Sequence, residues 1–179
     1  MTGGFDPGHY TAAPLQTEGV IRFAGLPDAV FAQITDHAAM TGWVPLLKSV
    51  QVSQPTPLPP GESMAGTARV LALRGGVIIR EEVVYWDPPH CYAYTTEGRR
   101  WPLRNYVGFM GVQDAAGGGG VFLFREYFSV DGALRRAAVS RGIVILGRRA
   151  LRNLSELIGG TSVEFRHVPA QTGRTAVPR

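Results

Sequence analysis

The residue of this sequence best placed to do chemistry is a carboxylate set among aromatic rings. Val121 to Val130 reads as a strand, and strand side chains alternate between two faces. Phe122, Phe124, Glu126 and Phe128 therefore share one face, and Leu123, Arg125 and Tyr127 the other. The first set is the more apolar, which predicts that it turns inward and makes Glu126 a lone carboxylate in an aromatic wall. Burial raises a carboxyl pKa unless a cation or several donors compensate, and a raised pKa suits a general acid or base. The competing reading pairs Glu126 with an arginine that holds the sheet together.

Further polar groups fall on neighbouring strands. In Val77 to Trp86 one face carries Val77, Ile79, Glu81, Val83 and Tyr85, the other Ile78, Arg80, Glu82, Val84 and Trp86. The first is less charged, so Glu81 and Tyr85 are expected inside; a bulge would invert that assignment. Tyr92 and Tyr94 lie on one side of their strand, and Arg104, Tyr106 and Met110 on one side of theirs. A phenol can donate to a carbonyl that is becoming an enolate, and an arginine can stabilise the developing charge. Each tyrosine taken alone is equally an ordinary sheet residue. Trp43 and Trp101 are expected at the entrance, with Trp43 also readable as a core anchor.

Other chemistries find little support. His9, His37, His90 and His167 show no metal-site spacing, and Cys91 would face away from His90 on a strand. No Ser-His-Asp set assembles, and Asp36 and His37, being adjacent, do not face each other on a helix. The Gly117 to Gly120 run lacks a following Lys-Ser or Lys-Thr and opens a strand, so it is no phosphate cradle. No metal and no cofactor are expected.

The element that must position these groups is a long late helix, from about Asp131 to Ile158. Val139, Ile143, Leu146, Ala150, Leu154 and Leu157 recur at steps of four or three and share one face, widened by Leu151 and Ile158. Arg141, Arg148, Arg149, Arg152 and Glu156 fall opposite. Asp131 is the expected N-cap and Gly159-Gly160 the stop. Gly147 and Ala150 are small, so the space beneath the helix is expected to be only partly filled. That gives a cavity lined by Ile143, Leu146 and Ala150 from the helix and by the aromatic strand faces.

The rest reads as strands, apart from two short helical stretches after the first strand (Leu15 to Ala24). One starts at Pro27 and Asp28, the other spans Asp36 to Thr41. Strands follow over Ser49 to Ser53, Gly66 to Leu73, Val77 to Trp86, Cys91 to Thr96, Leu103 to Val112 and Val121 to Val130. Arg74-Gly75-Gly76 and Gly117 to Gly120 are hairpin turns, and Asp87-Pro88-Pro89 is a break. One α+β domain over residues 15–165 is expected, between a frayed segment at 1–14 and a disordered tail at 166–179.

Composition bounds the function. With 179 residues, 45% hydrophobic and 18% charged, the chain can bury one sizeable core. No apolar run approaches the roughly 20 residues of a membrane span. The N-terminus lacks a signal-peptide pattern and Cys91 is the single cysteine, so a cytoplasmic location is expected. The formal net charge of +4 is almost all arginine, Lys48 being the only lysine. No base-stacking or phosphate-loop motif accompanies it, and nucleic acid is not an expected partner.

Several stretches carry a family resemblance. Leu26-Pro27-Asp28-Ala29-Val30-Phe31, Trp43-Val44-Pro45, Glu82 to Pro89 and Tyr92-Ala93-Tyr94 resemble, in that order, motifs of the START-like (SRPBCC, helix-grip) superfamily. Gly119 to Phe124 resembles the family's Gly-Thr-led strand ending in Trp, with Gly120 for Thr and Phe124 for Trp. The nearest branch is the bacterial polyketide cyclase/dehydrase group, and the superfamily also takes in lipid-transfer START domains and the birch-pollen allergen family. The resemblance covers about residues 17–160 and implies a helix-grip fold, in which a curved antiparallel sheet wraps a long C-terminal helix. It implies a small apolar or aromatic ligand in the cavity. It also implies cofactor-independent cyclisation, dehydration or aromatisation, with Glu126, Arg104 and Tyr106 as catalytic candidates. Trp43, Glu81, Tyr85, Tyr94, Met110, Phe122, Phe124, Phe128, Ile143, Leu146 and Ala150 are the binding candidates. A non-catalytic carrier or sensor of a lipid or isoprenoid-like molecule is the alternative, and an interaction module using the basic helix face a third. Monomer and homodimer remain equally open.

Overall fold

The computed structural model describes residues 4–53, 63–99 and 101–168, with the side chains of Arg99, Ala133 and Leu134 left aside. Strand β1 (Leu15–Phe23) leads to helix α1 (Pro27–Thr35), a 3-10 turn (Ala38–Gly42) and strand β2 (Leu47–Val52). Strands β3 (Ala68–Leu73), β4 (Ile78–Asp87), β5 (Cys91–Arg99), β6 (Arg104–Asp114) and β7 (Gly120–Ser129) follow, then helix α2 (Ala133–Ile158) and strand β8 (Gly160–His167). All pairings are antiparallel, in the order β2-β3-β4-β5-β6-β7-β1-β8. Consecutive strands from β2 to β7 form a meander, in which short turns join β3 to β4, β4 to β5 and β6 to β7, as the Gly-rich and Pro-containing breaks predict. This is the α+β helix-grip architecture, with the long helix lying in the concave face of the sheet.

Hydrophobic alternation explains which face is concave. Along β7 every second residue from Gly120 to Phe128 is buried and the intervening ones are half-buried. Ile21, Phe23, Leu71, Ile79, Val83, Tyr92, Tyr94, Met110 and Val112 join Phe122, Phe124 and Phe128 in one core closed by Leu151, Leu154 and Ile158 of α2. The helix faces slightly differently from its predicted stripe. Leu151, Leu154, Ser155 and Ile158 are buried, whereas Leu157 turns outward. Gly132, with φ 80°, takes the N-cap position rather than Asp131, and Gly159 ends the helix in the left-handed conformation expected of a stop.

Strand β8 completes the sheet at the far side of β1. Its Phe165 ring fills the space over Gly147, where any Cβ would strike it. That close approach draws the middle of α2 against the β1–β8 edge. The opposite, convex face carries a smaller cluster of Cys91, Ala93, Val107 and Phe109. Residues 4–14, expected to be frayed, run across it: Phe5 stacks on Phe109 with ring centroids 4.8 Å apart, and the Thr11 hydroxyl donates to the Asn105 carbonyl at 2.7 Å. Of the tail expected to be disordered, 166–168 belong to β8 and its end, and 169–179 lie outside the described residues.

Candidate functional site

Between α2 and the sheet lies a cavity of about 170 Å³. Its floor is sheet: Leu71, Ile79, Glu81, Tyr94, Tyr106, Met110, Phe122, Phe124 and Glu126. Its roof is Ile143, Leu146, Gly147, Ala150 and Leu151 of α2, and its sides include Met40, Trp43, Val44, Pro45, Trp101 and Leu103. Sheet lining residues such as Glu81, Tyr94 and Phe122 are buried, while Leu146 is exposed, so the cavity reaches the surface beside the helix. The Trp43 carbonyl accepts from Asn153 Nδ2 at 3.1 Å, which ties this wall to α2.

Glu126 sits in the floor with two partners. The Thr17 hydroxyl lies 2.5 Å from Oε2, and the Tyr106 hydroxyl donates to Oε1 at 2.9 Å. Thr17 is its register partner on β1, a placement that the strand pattern alone does not reveal. Burial pushes the Glu126 carboxyl above its ordinary range; the two hydrogen bonds oppose this and the nearby Glu81 adds to it. Among the described residues no arginine pairs with it, which sets aside the sheet-bracing alternative. Burial likewise pushes the Tyr94 and Tyr106 phenols well above 10, with Glu81 adding to the first and Glu126 to the second. Both are neutral hydroxyl donors, and their rings lie 6.1 Å apart.

The second carboxylate, Glu81, is paired instead. Arg69 Nε donates to its Oε2 at 2.6 Å, and Arg69 is 1% exposed, with its guanidinium 4.6 Å from the Tyr94 ring centre. Burial works against the guanidinium charge, but Glu81, Tyr92 and Tyr94 together more than offset it and the pKa lies above that of ordinary arginine. Among the described residues, both Arg69 Nη atoms and both ring nitrogens of His37 are buried without a hydrogen-bond partner. Burial, reinforced by Arg69, holds His37 down at about 2, so it is a neutral ring lying against Tyr92. Residue type and spacing single out neither Arg69 nor His37. A signal for Arg69 exists, because a hairpin turn at Arg74-Gly75-Gly76 puts it directly across from Glu81.

Of the sequence candidates, the structure brings Trp43, Glu81, Tyr94, Tyr106, Met110, Phe122, Phe124, Glu126, Ile143, Leu146 and Ala150 together around the cavity. Phe128 is buried next to it, stacked on Tyr106 with centroids 6.2 Å apart, and is not part of the lining. Two candidates require correction. Tyr85 lies on the convex face beside Phe5, because the β4–β5 register shifts between Val83 and Tyr85 and reverses the alternation; Trp86 turns inward in its place, against Phe31 and Tyr92. Arg104 also lies outside, its side chain 64% exposed and 3.5 Å from Asp131. Asn105, at φ 52°, and a register shift between Arg104 and Val107 break the parity that would have aimed Arg104 with Tyr106.

Comparison with known proteins places this geometry. The family described as polyketide cyclase/dehydrase and lipid transport matches residues 14–159. Among curated proteins, an uncharacterised protein of Mycobacterium tuberculosis (strain H37Rv) and one of Mycobacterium bovis are each 29% identical over 76 residues. That match covers 42% of this chain and 42% of each relative. The protein XoxI from Bacillus cereus superposes with a TM-score of 0.63 at 18% identity, covering 81% of this chain and 96% of that one. The Zhui aromatase/cyclase from Streptomyces sp. R1128 gives 0.65 at 13% identity, covering 81% and 94%. Ara h 8.0201 gives 0.58 at 16% identity, covering 81% and 98%. At such identities the likeness is one of fold. The family match spans most of the chain, and on it the protein belongs to the polyketide cyclase/dehydrase and lipid transport family.

Proposed function

We propose that the cavity takes a small apolar or aromatic molecule bearing carbonyl and hydroxyl oxygens, and that the protein eliminates water from it, or cyclises it, without a cofactor. The observation that carries this reading is Glu126: a buried carboxyl whose pKa burial raises, in the floor of a mostly apolar cavity, with Tyr106 hydrogen-bonded to it. A few placed polar groups in an apolar pocket suit orientation of such a ligand.

Elimination from a β-hydroxy carbonyl breaks a C–H and a C–O bond and forms a C=C bond and water. In the proposed step the Glu126 carboxylate takes the proton from the carbon next to the carbonyl, and the carboxyl so formed gives it to the departing hydroxyl, which restores the carboxylate. Tyr94 donates to the carbonyl oxygen as charge develops there. Glu81, tied by Arg69, contributes to binding. Arg104 has no part in this step, being outside the cavity.

The test is Glu126→Gln on any substrate found by screening hydroxylated aromatic ketones. Turnover falls by a factor of roughly 10² or more while affinity stays within a few-fold. Unchanged turnover would remove Glu126 from the chemistry, and a carrier would show binding with no turnover in either protein.

A further inference from the structure

Helix α2 carries six arginines, at positions 135, 136, 141, 148, 149 and 152, and one acid, Glu156. That is an excess of five positive charges on a chain whose formal net charge is +4, so the remainder of the chain is slightly negative and the positive field belongs to one helix. All six arginines are exposed. Among the described residues none of the six forms an ion pair, and only Arg148 has a side-chain hydrogen bond, to the Phe165 carbonyl at 3.4 Å. Arg148 and Arg152 stand four apart, where like charges on a helix repel.

At 100° per residue, Arg141, Arg148, Arg149 and Arg152 surround Ile145, which is 67% exposed at the centre of the outer face. Leu146 beside it is 38% exposed and also lines the cavity. A basic helix face with an apolar centre, continuous with the rim of an apolar cavity, complements a planar array of anionic headgroups over hydrocarbon. Nucleic acid would match the charge but offer nothing to Ile145.

We propose that the outer face of α2 docks on an anionic lipid surface. Arg141, Arg148, Arg149 and Arg152 meet the headgroups, and Ile145 and Leu146 sit at the boundary with the acyl chains. Docking in this way puts the cavity rim at the lipid, so that an apolar ligand passes between them with little exposure to water. The docking holds whether the cavity catalyses or only carries.

Each arginine near such a surface contributes about fivefold to binding. Reversing two, in Arg148→Glu/Arg152→Glu, lowers it at least about 25-fold, and these exposed positions leave the circular dichroism spectrum unchanged. Ile145→Ser weakens binding a few-fold and leaves the salt dependence alone. The experiment is co-sedimentation of the full chain with vesicles of phosphatidylcholine, with or without about one-third phosphatidylserine, in about 0.1 M and about 1 M NaCl. Binding to the phosphatidylserine vesicles alone, abolished by the higher salt and by the double reversal, supports the proposal. It is overturned by no sedimentation, by equal sedimentation with both vesicles, by a double reversal that binds like the parent, or by duplex DNA competing the protein off the vesicles at equal phosphate.

Discussion

The Arg69–Glu81 pair gives a test of the buried polar geometry that needs no ligand. Its Nε–Oε2 distance is 2.6 Å, and the two side chains are 1% and 9% exposed. Removing one member of a buried pair costs about 3–5 kcal/mol, because the survivor stays in low dielectric without compensation. The two losses are unequal here. A carboxyl left alone can take up a proton, whereas a guanidinium cannot shed one. Glu81→Leu therefore sits at or above the top of that range, since the Arg69 Nη atoms already lack acceptors and only the Tyr92 and Tyr94 rings remain, at about 0.5–2 kcal/mol each. Arg69→Met lies lower in it. The double variant Arg69→Met/Glu81→Leu returns to within about 1–2 kcal/mol of the parent, because apolar replacements of similar volume do nearly as well as a buried ion pair. Urea unfolding followed by circular dichroism reads this out. At a slope of about 2 kcal/mol/M the Glu81→Leu midpoint falls by about 2 M, and the cycle shows at least about 2 kcal/mol of coupling. Two single variants each costing under about 1 kcal/mol and adding simply in the double would refute the reasoning.

Three further outcomes follow from the same packing. Because the folded Glu126 carboxyl holds its proton above the ordinary 4.5, its favourable contribution is complete below that pH and is lost as pH rises through the folded value. Glu126→Gln should then gain stability relative to the parent between pH 4 and pH 8, by about 1.4 kcal/mol for each pH unit separating the ordinary value from the folded one; a constant difference across that range in urea titrations would contradict it. His37, held down to about 2 from 6.5, contributes stability that is present above 6.5 and lost as pH falls toward 2. Its neutral replacement His37→Phe should flatten the acid side of the profile by about 1.4 kcal/mol per pH unit, and an unchanged profile would place a charged imidazole in the fold. In α2, Gly142→Ala meets open space and should stabilise by up to about 1 kcal/mol, whereas Gly147→Ala runs into the Phe165 ring and should destabilise by about 1–2 kcal/mol, as read by thermal melts. The same sign for both would contradict the packing of α2 on β8.

The reach of the sequence can be followed strand by strand. Strict alternation in β7 is enough to put Phe122, Phe124, Glu126 and Phe128 on the concave face, and helical spacing is enough to put Ile143, Leu146 and Ala150 in the roof. Period-2 reasoning fails where the backbone inserts a residue, which is how Tyr85 and Arg104 leave the predicted face. Bulges carry no compositional mark strong enough to find without the partner strand. Hydropathy also hides Arg69, since a guanidinium is buried only when a partner across the sheet neutralises it, and that partner becomes visible through hairpin register rather than through residue type. Nothing beside His37 in the chain marks it, because its neighbour Asp36 cannot face it; burial against Tyr92 and near Arg69, a tertiary effect, gives it its character. The register that sets Thr17 against Glu126 joins residues 109 positions apart and is a product of β1 pairing with β7.

Fluorescence titration with the neutral aromatic probe N-phenyl-1-naphthylamine tests most directly whether the space between α2 and the sheet holds a small apolar molecule against Glu126. Ala150→Trp serves as the variant that fills the roof of the cavity. Saturable one-to-one binding by the parent, lost in an Ala150→Trp protein that keeps its circular dichroism spectrum, is the predicted result. No saturable binding by the parent, or equal binding by the filled variant, would contradict the account.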